Sequence, residues 1–210
     1  MSASSSHHLW TLVEPLILAS GSSARAQMLK AAGIPFEVDK PTLDERVVEV
    51  PLKAAGAGGA QIAAALAQAK ALEVSARRPG RYVLGADQTL AVGADLLSKP
   101  EGRVGARDHL QLLSGRSHQL NASAALARDG KILLAPSDTA TLTMRVLSED
   151  FIETYLDAAG AAMLGSVGAY QIEGLGVHLF ERIEGQHPVI MGLPLQPLIE
   201  GLRNLCLLRG

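Results

Sequence analysis

The chain has 210 residues, of which 48% are apolar and 19% are charged, and its formal net charge is −2. This length suits one domain, or two small lobes that share a cleft. The near-neutral charge without a basic block argues against a nucleic acid polymer as partner, whereas a small phosphorylated ligand needs only a local basic pocket.

Residues 1–14 are polar and predict a disordered tail, in which His7 and His8 are tail residues rather than metal ligands. The tail has neither the basic nor the apolar segment of a secretory signal, and no apolar run approaches the roughly 18 residues of a membrane span. The single cysteine, Cys206, excludes an internal disulfide and fits a reducing compartment. We therefore expect a cytoplasmic protein with a single domain at 15–210 and no membrane partner.

The first half of the chain predicts strands that alternate with helices. The apolar run at 16–19 is bounded by breakers and is typical of a buried strand. Met28, Leu29 and Ala32 recur at helical spacing behind it, and Gly33 ends that helix. Further along, the pattern predicts a helix from about residue 60 to 77–80, a buried strand at 82–86 that ends at Asp87, and a helix at 105–113.

The second half predicts a mostly antiparallel arrangement. Strands are expected at 119–126 and 131–134, joined by a hairpin turn at 128–130. Residues 139–146 alternate between apolar and polar, as in a strand with one wet face. Ser148 is expected to cap a helix, and a strand at 177–183 and a closing amphipathic helix at 198–205 follow. The fold class is therefore α/β, with a mixed twisted sheet and flanking helices.

The first segment with chemical potential is Ser-Gly-Ser-Ser-Ala-Arg at 20–25, between the first strand and its helix. Backbone N–H groups at a helix N-terminus bind anions, and the hydroxyl of Ser22 and the guanidinium of Arg25 add donors for phosphate oxygens. The spacing does not match a P-loop. The alternative is a serine-rich helix cap followed by a solvated arginine.

An acidic residue and two lysines form the next candidates. Asp87 follows a buried strand, where a carboxylate can hold a divalent ion or accept a proton from water, or can simply cap the turn. Lys70 lies beside the apolar stripe of its helix, and Lys99 precedes Pro100. Either lysine can neutralise phosphate, although a lysine placed like Lys70 usually extends its stem over the core and keeps its charge in water.

Glycines at 168, 174 and 176 surround Gln171 and Glu173. Glycines let a backbone pass close to a ligand, so this segment predicts a ligand-binding wall. The alternative is a tight glycine-rich loop between strands.

Taken together, these segments resemble the Maf-like nucleoside triphosphate pyrophosphatase family. The resemblance extends over nearly the whole chain from residue 16 to about 205, in eight segments that keep their order and separation. The matching stretches are 16–36, 43–45, 67–71, 83–88, 99–100, 113–118, 168–185 and 192–195.

The resemblance implies two lobes around a nucleotide cleft, a possible homodimer, and hydrolysis of a nucleoside triphosphate between its α and β phosphates with Mg2+ or Mn2+. Ser22 and Arg25 would contact phosphates, and Lys70 and Lys99 would neutralise them. The catalytic set would be Asp87, the proton acceptor, with Glu45 and Lys70. The two carboxylates would also hold the metal. Where the family usually has proline and a large residue, this chain has Ser23 and Ala24.

Two positions resemble the family group that acts on 7-methyl-GTP. Gln88 replaces the threonine of the dTTP and UTP group, and Glu173 replaces its glutamine. A carboxylate accepts both N–H donors of the guanine edge and favours the positive charge of the methylated ring. The alternatives are a dTTP- or UTP-preferring pyrophosphatase, a nucleotide-binding regulator of septum formation with little turnover, and a nucleotidyltransferase with a similar phosphate site.

Overall fold

The computed structural model of the protein describes residues 9–210, so the predictions for His7 and His8 lie outside the described residues. Within that range one sheet contains eight strands: β1 (Leu16–Ala19), β2 (Phe36–Val38), β3 (Val83–Val92), β4 (Asp95–Leu97), β5 (Ser117–Arg128), β6 (Lys131–Leu134), β7 (Ser137–Met144) and β8 (Phe180–Glu184). The α-helices are α1 (Ser23–Ala31), α2 (Arg46–Ala54), α3 (Gly59–Arg77), α4 (Gly102–Leu113), α5 (Glu149–Ala159), α6 (His187–Ile190) and α7 (Leu195–Asn204). Three 3-10 helices occupy Gly160–Gly165, Val167–Ala169 and Leu175–Leu179. None of the described helices is both long enough and apolar enough to span a membrane.

The sheet is mixed, which confirms the predicted α/β class. Its strand order is β2-β1-β3-β5-β7-β8, with β4 paired to β3 and β6 paired to β5. Strand β1 runs parallel to β2 and β3, and the other pairs are antiparallel. The parallel strands β1 and β2 are joined through α1, because a parallel crossover needs a dozen or more residues.

Strand β3 is longer than the sequence predicts. Asp87 does not end it, because the ladder with β5 continues to Ala91 and places Asp87 opposite Ser123. The parallel neighbour β1 stops earlier, with Ala19 opposite Gly85. The predicted end of β3 at Asp87 is therefore wrong, whereas β1 ends at Ala19 as predicted. Asp87 lies in mid-strand just beyond the carboxyl end of β1, where a site can open.

Two apolar clusters cover one face of β3. Leu84 and Ala86 belong to a cluster built with β1, α1 and α7, and Leu90 and Val92 to one built with β5, β7, α4 and α5. Because side chains alternate along a strand, Gln88 shares this face and lies between the two clusters.

The opposite face of β3 carries Gly85 and Asp87 and packs against α3. A Cβ on Gly85 would overlap the carbonyl oxygen of Ala67 and lie 2.6 Å from the backbone nitrogen of Ala71. Glycine therefore lets α3 approach the sheet closely. This approach brings Lys70, which lies between those two alanines in sequence, close to Asp87.

Residues 9–14, which the sequence assigned to the tail, are part of the fold. Trp10 is only 6% exposed, pairs with Leu208 in an antiparallel bridge, and donates its indole N–H to the Glu14 carbonyl at 2.9 Å. Arg209 N also donates to the Leu9 carbonyl at 2.9 Å. The large apolar surface of an indole, with its single polar atom satisfied, explains why this segment is ordered.

Other differences are local. Only the second part of the predicted 177–183 strand forms, as β8, because Leu175–Leu179 is a 3-10 helix. Strand β7 ends at Met144, and Val146, expected on its apolar face, is exposed. Helix α2 was not predicted. The cap at Ser148 is confirmed, since its Oγ accepts from Phe151 N at 3.2 Å.

Candidate active site

A cleft of about 1020 Å³ lies beside β3, beyond the end of β1. All eight residues selected from the sequence line it: Ser22, Arg25, Glu45, Lys70, Asp87, Gln88, Lys99 and Glu173. They come from the β1–α1 loop, helix α1, the residue before α2, helix α3, strand β3, the turn before α4 and the loop after the second 3-10 helix.

An ammonium group joins two carboxylates at the floor of the cleft. Lys70 Nζ lies 2.5 Å from Asp87 Oδ1 and 2.8 Å from Glu45 Oε1. Lys70 is 7% exposed and Asp87 is 8% exposed, whereas the Glu45 side chain is about half exposed. The lysine therefore does not extend into water. It is buried where its charge is matched by two acids.

The electrostatic surroundings of Asp87 suit a proton acceptor. Burial raises the pKa of the Asp87 carboxyl above its ordinary value, while the charges of Lys70 and Arg25 oppose that rise. A carboxylate with a raised pKa is a stronger base, and the nearby cations keep it ionised.

The N-terminus of α1 opens toward the same cleft. Ser22 caps the helix, with its Oγ accepting from Arg25 N at 3.4 Å. The backbone N–H groups of the first turn carry the positive end of the helix dipole. Gly21 and Ser23 are exposed on this wall, so the segment 20–25 can receive an anion.

Arg25 makes more hydrogen bonds within the protein than the sequence suggests. Its Nη1 donates to Ser20 Oγ at 3.0 Å and to the Ala86 carbonyl at 2.9 Å, and its Nε donates to the Gly192 carbonyl at 2.8 Å. Burial lowers the pKa of the Arg25 guanidinium, against the opposing charges of Asp87 and Glu45. Three of its five N–H groups thus hold the site together. Within the described part of the chain the two on Nη2 have no hydrogen-bond acceptor, so they can serve a ligand.

Gln88 also has a structural task. Its Nε2 donates to the Val189 carbonyl at 2.8 Å and to the Ile190 carbonyl at 3.0 Å, which fixes α6 against β3. Both amide protons are used in this way, so Gln88 can offer a ligand only its oxygen.

Lys99 and Glu173 are exposed side chains on the cleft wall. Lys99 lies in the turn between β4 and α4, and Glu173 lies in the loop that precedes the third 3-10 helix. Both are free to adjust to a ligand, unlike the buried Lys70.

This arrangement can be compared with known proteins. A family model for Maf-like proteins matches residues 15–205. The chain belongs to the Maf family.

Relatives of this Maf protein match it over nearly their full length. The nucleoside triphosphate pyrophosphatase of Nitrobacter winogradskyi is 54% identical over 200 residues, which cover 95% of this chain and 98% of that protein. The 7-methyl-GTP pyrophosphatase of Mesorhizobium japonicum is 51% identical over 199 residues, covering 95% and 100%. The 7-methyl-GTP pyrophosphatase of Brucella abortus biovar 1 is 48% identical over 189 residues, covering 90% and 95%.

Sequence reasoning missed part of the cleft wall of this Maf protein. Arg46, Glu49 and Lys53 of α2 line the cleft at helical spacing, and Tyr170 lines it from the opposite side. The spacing of the three charged residues was a usable signal for this helix, which also accommodates Pro51. The position of Tyr170 depends on long-range contacts that no local pattern reveals.

The acidic pair fits a hard divalent cation. Asp87 and Glu45 both contact Lys70 Nζ, so their carboxylates lie close enough to share one ligand. Mg2+ is usually bound by one or two carboxylates together with substrate phosphates and water. Across residues 9–210 no cluster of three or more His, Cys, Asp or Glu side chains forms a metal cage, so such an ion would depend on the substrate for the rest of its shell.

Proposed function

We propose that this Maf protein is a nucleoside triphosphate pyrophosphatase that cleaves the bond between the α and β phosphates. The observation that carries this proposal is the buried Lys70 ammonium between Asp87 and Glu45, in a cleft that also holds the N-terminus of α1. The names of the three relatives support it, since all three are nucleoside triphosphate or 7-methyl-GTP pyrophosphatases.

The chemistry requires a water oxygen to bond to the α phosphorus while the bond from that phosphorus to the bridging oxygen breaks. Asp87 takes a proton from the water, and pyrophosphate leaves with the electron pair of the broken bond. The protein forms no covalent bond to the substrate in this scheme. Its main contributions are to position the reactants and to stabilise the negative charge on the phosphate oxygens in the transition state.

Cations and N–H groups on this chain supply that stabilisation. Lys70 reduces the charge at the floor of the cleft, and Lys99 reaches in from the wall. Ser22 and the first turn of α1 orient phosphate oxygens, with the Nη2 group of Arg25 beside them. Asp87 and Glu45 would hold Mg2+ or Mn2+, which when bound lowers the pKa of water and neutralises phosphate charge.

We propose 7-methyl-GTP as a substrate, with the base beside Glu173. The carboxylate would accept from the two N–H donors of the guanine edge, and its charge would favour the methylated, positively charged ring. The names of the relatives from Mesorhizobium japonicum and Brucella abortus support this choice. The cytoplasmic location and the homodimer stay predictions.

The test is a panel of the common nucleoside triphosphates with 7-methyl-GTP, assayed with Mg2+ or Mn2+ and with a chelator. The expected products are nucleoside monophosphate and pyrophosphate, with 7-methyl-GTP at the highest kcat/KM and no turnover with the chelator. Orthophosphate with nucleoside diphosphate would reassign the cleaved bond and overturn the proposal. Tight nucleotide binding without any product would favour a regulator, and a higher kcat/KM for dTTP or UTP would overturn the choice of base.

A further inference from the structure

A buried hydrogen bond joins the cleft wall to the sheet. Tyr170 Oη lies 2.6 Å from His118 Nε2, and the two residues are 4% and 2% exposed. His118 belongs to β5, whereas Tyr170 follows the 3-10 helix Val167–Ala169. The ring of Phe180 packs edge-on against Tyr170 at a centroid distance of 4.9 Å and also contacts His118. The chemistry proposed above uses neither residue.

The backbone that leads into Tyr170 adopts an unusual conformation. Ala169 has φ of +62°, a left-handed value that an L-residue other than glycine rarely adopts. Its carbonyl accepts from Tyr155 Oη at 3.1 Å, so a second buried tyrosine holds the same peptide. Strained backbone of this kind persists only where the surrounding contacts determine it.

Gly168 shows how closely this segment is packed. Its φ is +79°, and a Cβ there would lie 2.6 Å from Leu90 Cδ1 and 2.8 Å from the Tyr170 ring. The backbone at the start of the loop therefore packs directly against β3. After Tyr170 the backbone turns back on itself, with Gly174 N and Gly176 N both donating to the Gln171 carbonyl at 3.1 Å.

The side chain of Glu173 projects into the cleft from this loop, three residues beyond Tyr170. Tyr170 and Ile172 are buried in the cluster with β5 and β7, and Glu173 is exposed next to them. The buried Tyr170 and Ile172 thus anchor the segment of the loop from which Glu173 reaches the cleft. The bond to His118 is the polar contact that fixes this ring against β5.

We propose that His118 and Tyr170 form a positioning pair that sets the nucleobase selectivity of the cleft through the loop carrying Glu173. This proposal rests on the proposed function, since it requires a nucleotide substrate. Neither residue is a catalytic residue. Burial lowers the pKa of His118 to about 4, so the ring is neutral near pH 7. The neutral ring forms its hydrogen bond to the Tyr170 hydroxyl through Nε2.

The first variant is Tyr170→Phe, which removes one oxygen and keeps the ring against Phe180. The readout is the ratio of kcat/KM between the nucleotide that the wild type hydrolyses best and the one it hydrolyses worst. We expect this ratio to fall about five- to tenfold, as for the loss of one buried hydrogen bond. The fall should come from a higher KM for the preferred nucleotide, with kcat nearly unchanged.

Calorimetry distinguishes an effect on binding of the nucleobase from an effect on binding of the phosphates. The Kd of the nucleoside monophosphate derived from the preferred substrate should rise by a similar factor, whereas the Kd of inorganic pyrophosphate should stay unchanged. A purely structural defect would raise both. Tyr82→Phe is the matched control, because Tyr82 Oη accepts a bond from Arg128 Nη1 at 2.9 Å outside the cleft. It should leave both dissociation constants unchanged.

Variants of His118 test the other residue of the positioning pair. His118→Leu should reproduce the Tyr170→Phe selectivity, and the double variant should be no worse than either single one, because both remove the same bond. His118→Gln keeps a hydrogen-bonding group and should restore part of the selectivity. Circular dichroism confirms folding, and should either His118 variant fail to fold, the Tyr170→Phe kinetics and calorimetry decide alone.

Unchanged selectivity in active Tyr170→Phe, or equal losses with all nucleotides and with pyrophosphate, would overturn the positioning role. Failure of the proposed function looks different, because the wild type itself would then release no pyrophosphate from any nucleotide.

Discussion

Lys70 and Asp87 meet through a 2.5 Å contact between Nζ and Oδ1, across the interface between α3 and the sheet. The contact depends on how closely the helix approaches β3, because the lysine is buried and its stem cannot be extended elsewhere. Gly85, two residues before Asp87 on the same face, permits that approach. Packing and chemistry are therefore coupled at this place.

Replacement of Gly85 by alanine tests this coupling. The new Cβ would overlap backbone atoms of α3, which cannot move like the end of a flexible side chain. We expect Gly85→Ala to lower the free energy of unfolding by about 1–3 kcal/mol, the usual range for overpacking, and to reduce kcat as Lys70 moves away from Asp87. Urea unfolding and pyrophosphate release measure the two effects.

Gly165→Ala is the control for the stability measurement, since a Cβ there meets nothing within 4 Å and its φ is not left-handed. An unchanged stability of Gly85→Ala would show that α3 adjusts freely, against the tight packing described here.

Asp87→Asn tests the proton acceptor. The amide keeps the shape but cannot take a proton from water, so we expect kcat to fall at least about 100-fold, the lower end for a lost general base. In the absence of divalent metal, nucleotide binding should persist or tighten, because a negative charge near the polyphosphate is removed. Pyrophosphate release and calorimetric Kd are the measurements, with Asp95→Asn, an exposed residue of β4, as control.

In the wild type, the raised pKa of Asp87 should place the acid limb of the kcat/KM profile at a higher pH than an ordinary aspartate would. A folded Asp87→Asn protein with a near-normal rate would remove the catalytic role from this residue.

Glu173→Gln tests the choice of base. We expect kcat/KM for 7-methyl-GTP to fall relative to UTP and dTTP by roughly 10- to 150-fold, since one charge-assisted hydrogen bond contributes about 1.5–3 kcal/mol. The new amide both donates and accepts, so pyrimidine turnover can rise. Steady-state kinetics on the three substrates measure this. Glu181→Gln, an exposed residue of β8, should leave the ratio unchanged. Equal losses on all three substrates would instead assign Glu173 to loop geometry.

The pH dependence of stability tests the burial of His118. Burial lowers its pKa from 6.5 to about 4, so between these values the unfolded chain binds a proton that the folded protein does not. Stability is therefore full above pH 6.5 and declines as the pH falls toward 4, by about 3 kcal/mol in total from this residue.

Urea unfolding at several pH values should show that decline in the wild type and a smaller one in His118→Gln. His178→Gln, which changes an exposed histidine, should keep the wild-type dependence. The same slope in all three proteins would mean that His118 titrates normally in the folded state.

The sequence predicted the elements whose determinants are local. The buried run of β1, the cap at Ser148 and the alternation of Ala140, Leu142 and Met144 all depend on neighbouring residues, and all are present. The mid-strand position of Asp87 was missed because the length of β3 is set by β5, which lies far away in the chain.

The eight residues selected from the sequence line one cleft, but some of their contacts were not foreseen. Arg25 and Gln88 were expected to face the substrate, but each side chain donates two hydrogen bonds to backbone carbonyls. Those carbonyls belong to β3 and to residues 189–192, and only the folded chain brings them together. Their proposed roles toward a nucleotide stay predictions.

The bridge between Trp10 and Leu208 gives the protein a built-in optical reporter. Trp10 is the chain's single tryptophan, and its indole lies in the cluster with β1, α1 and α7 rather than at the cleft. Intrinsic fluorescence should therefore follow the release of residues 9–14 from the C-terminal segment and should be insensitive to nucleotide binding. A fluorescence transition that precedes the loss of far-ultraviolet circular dichroism would identify this clasp as the first part of the molecule to open.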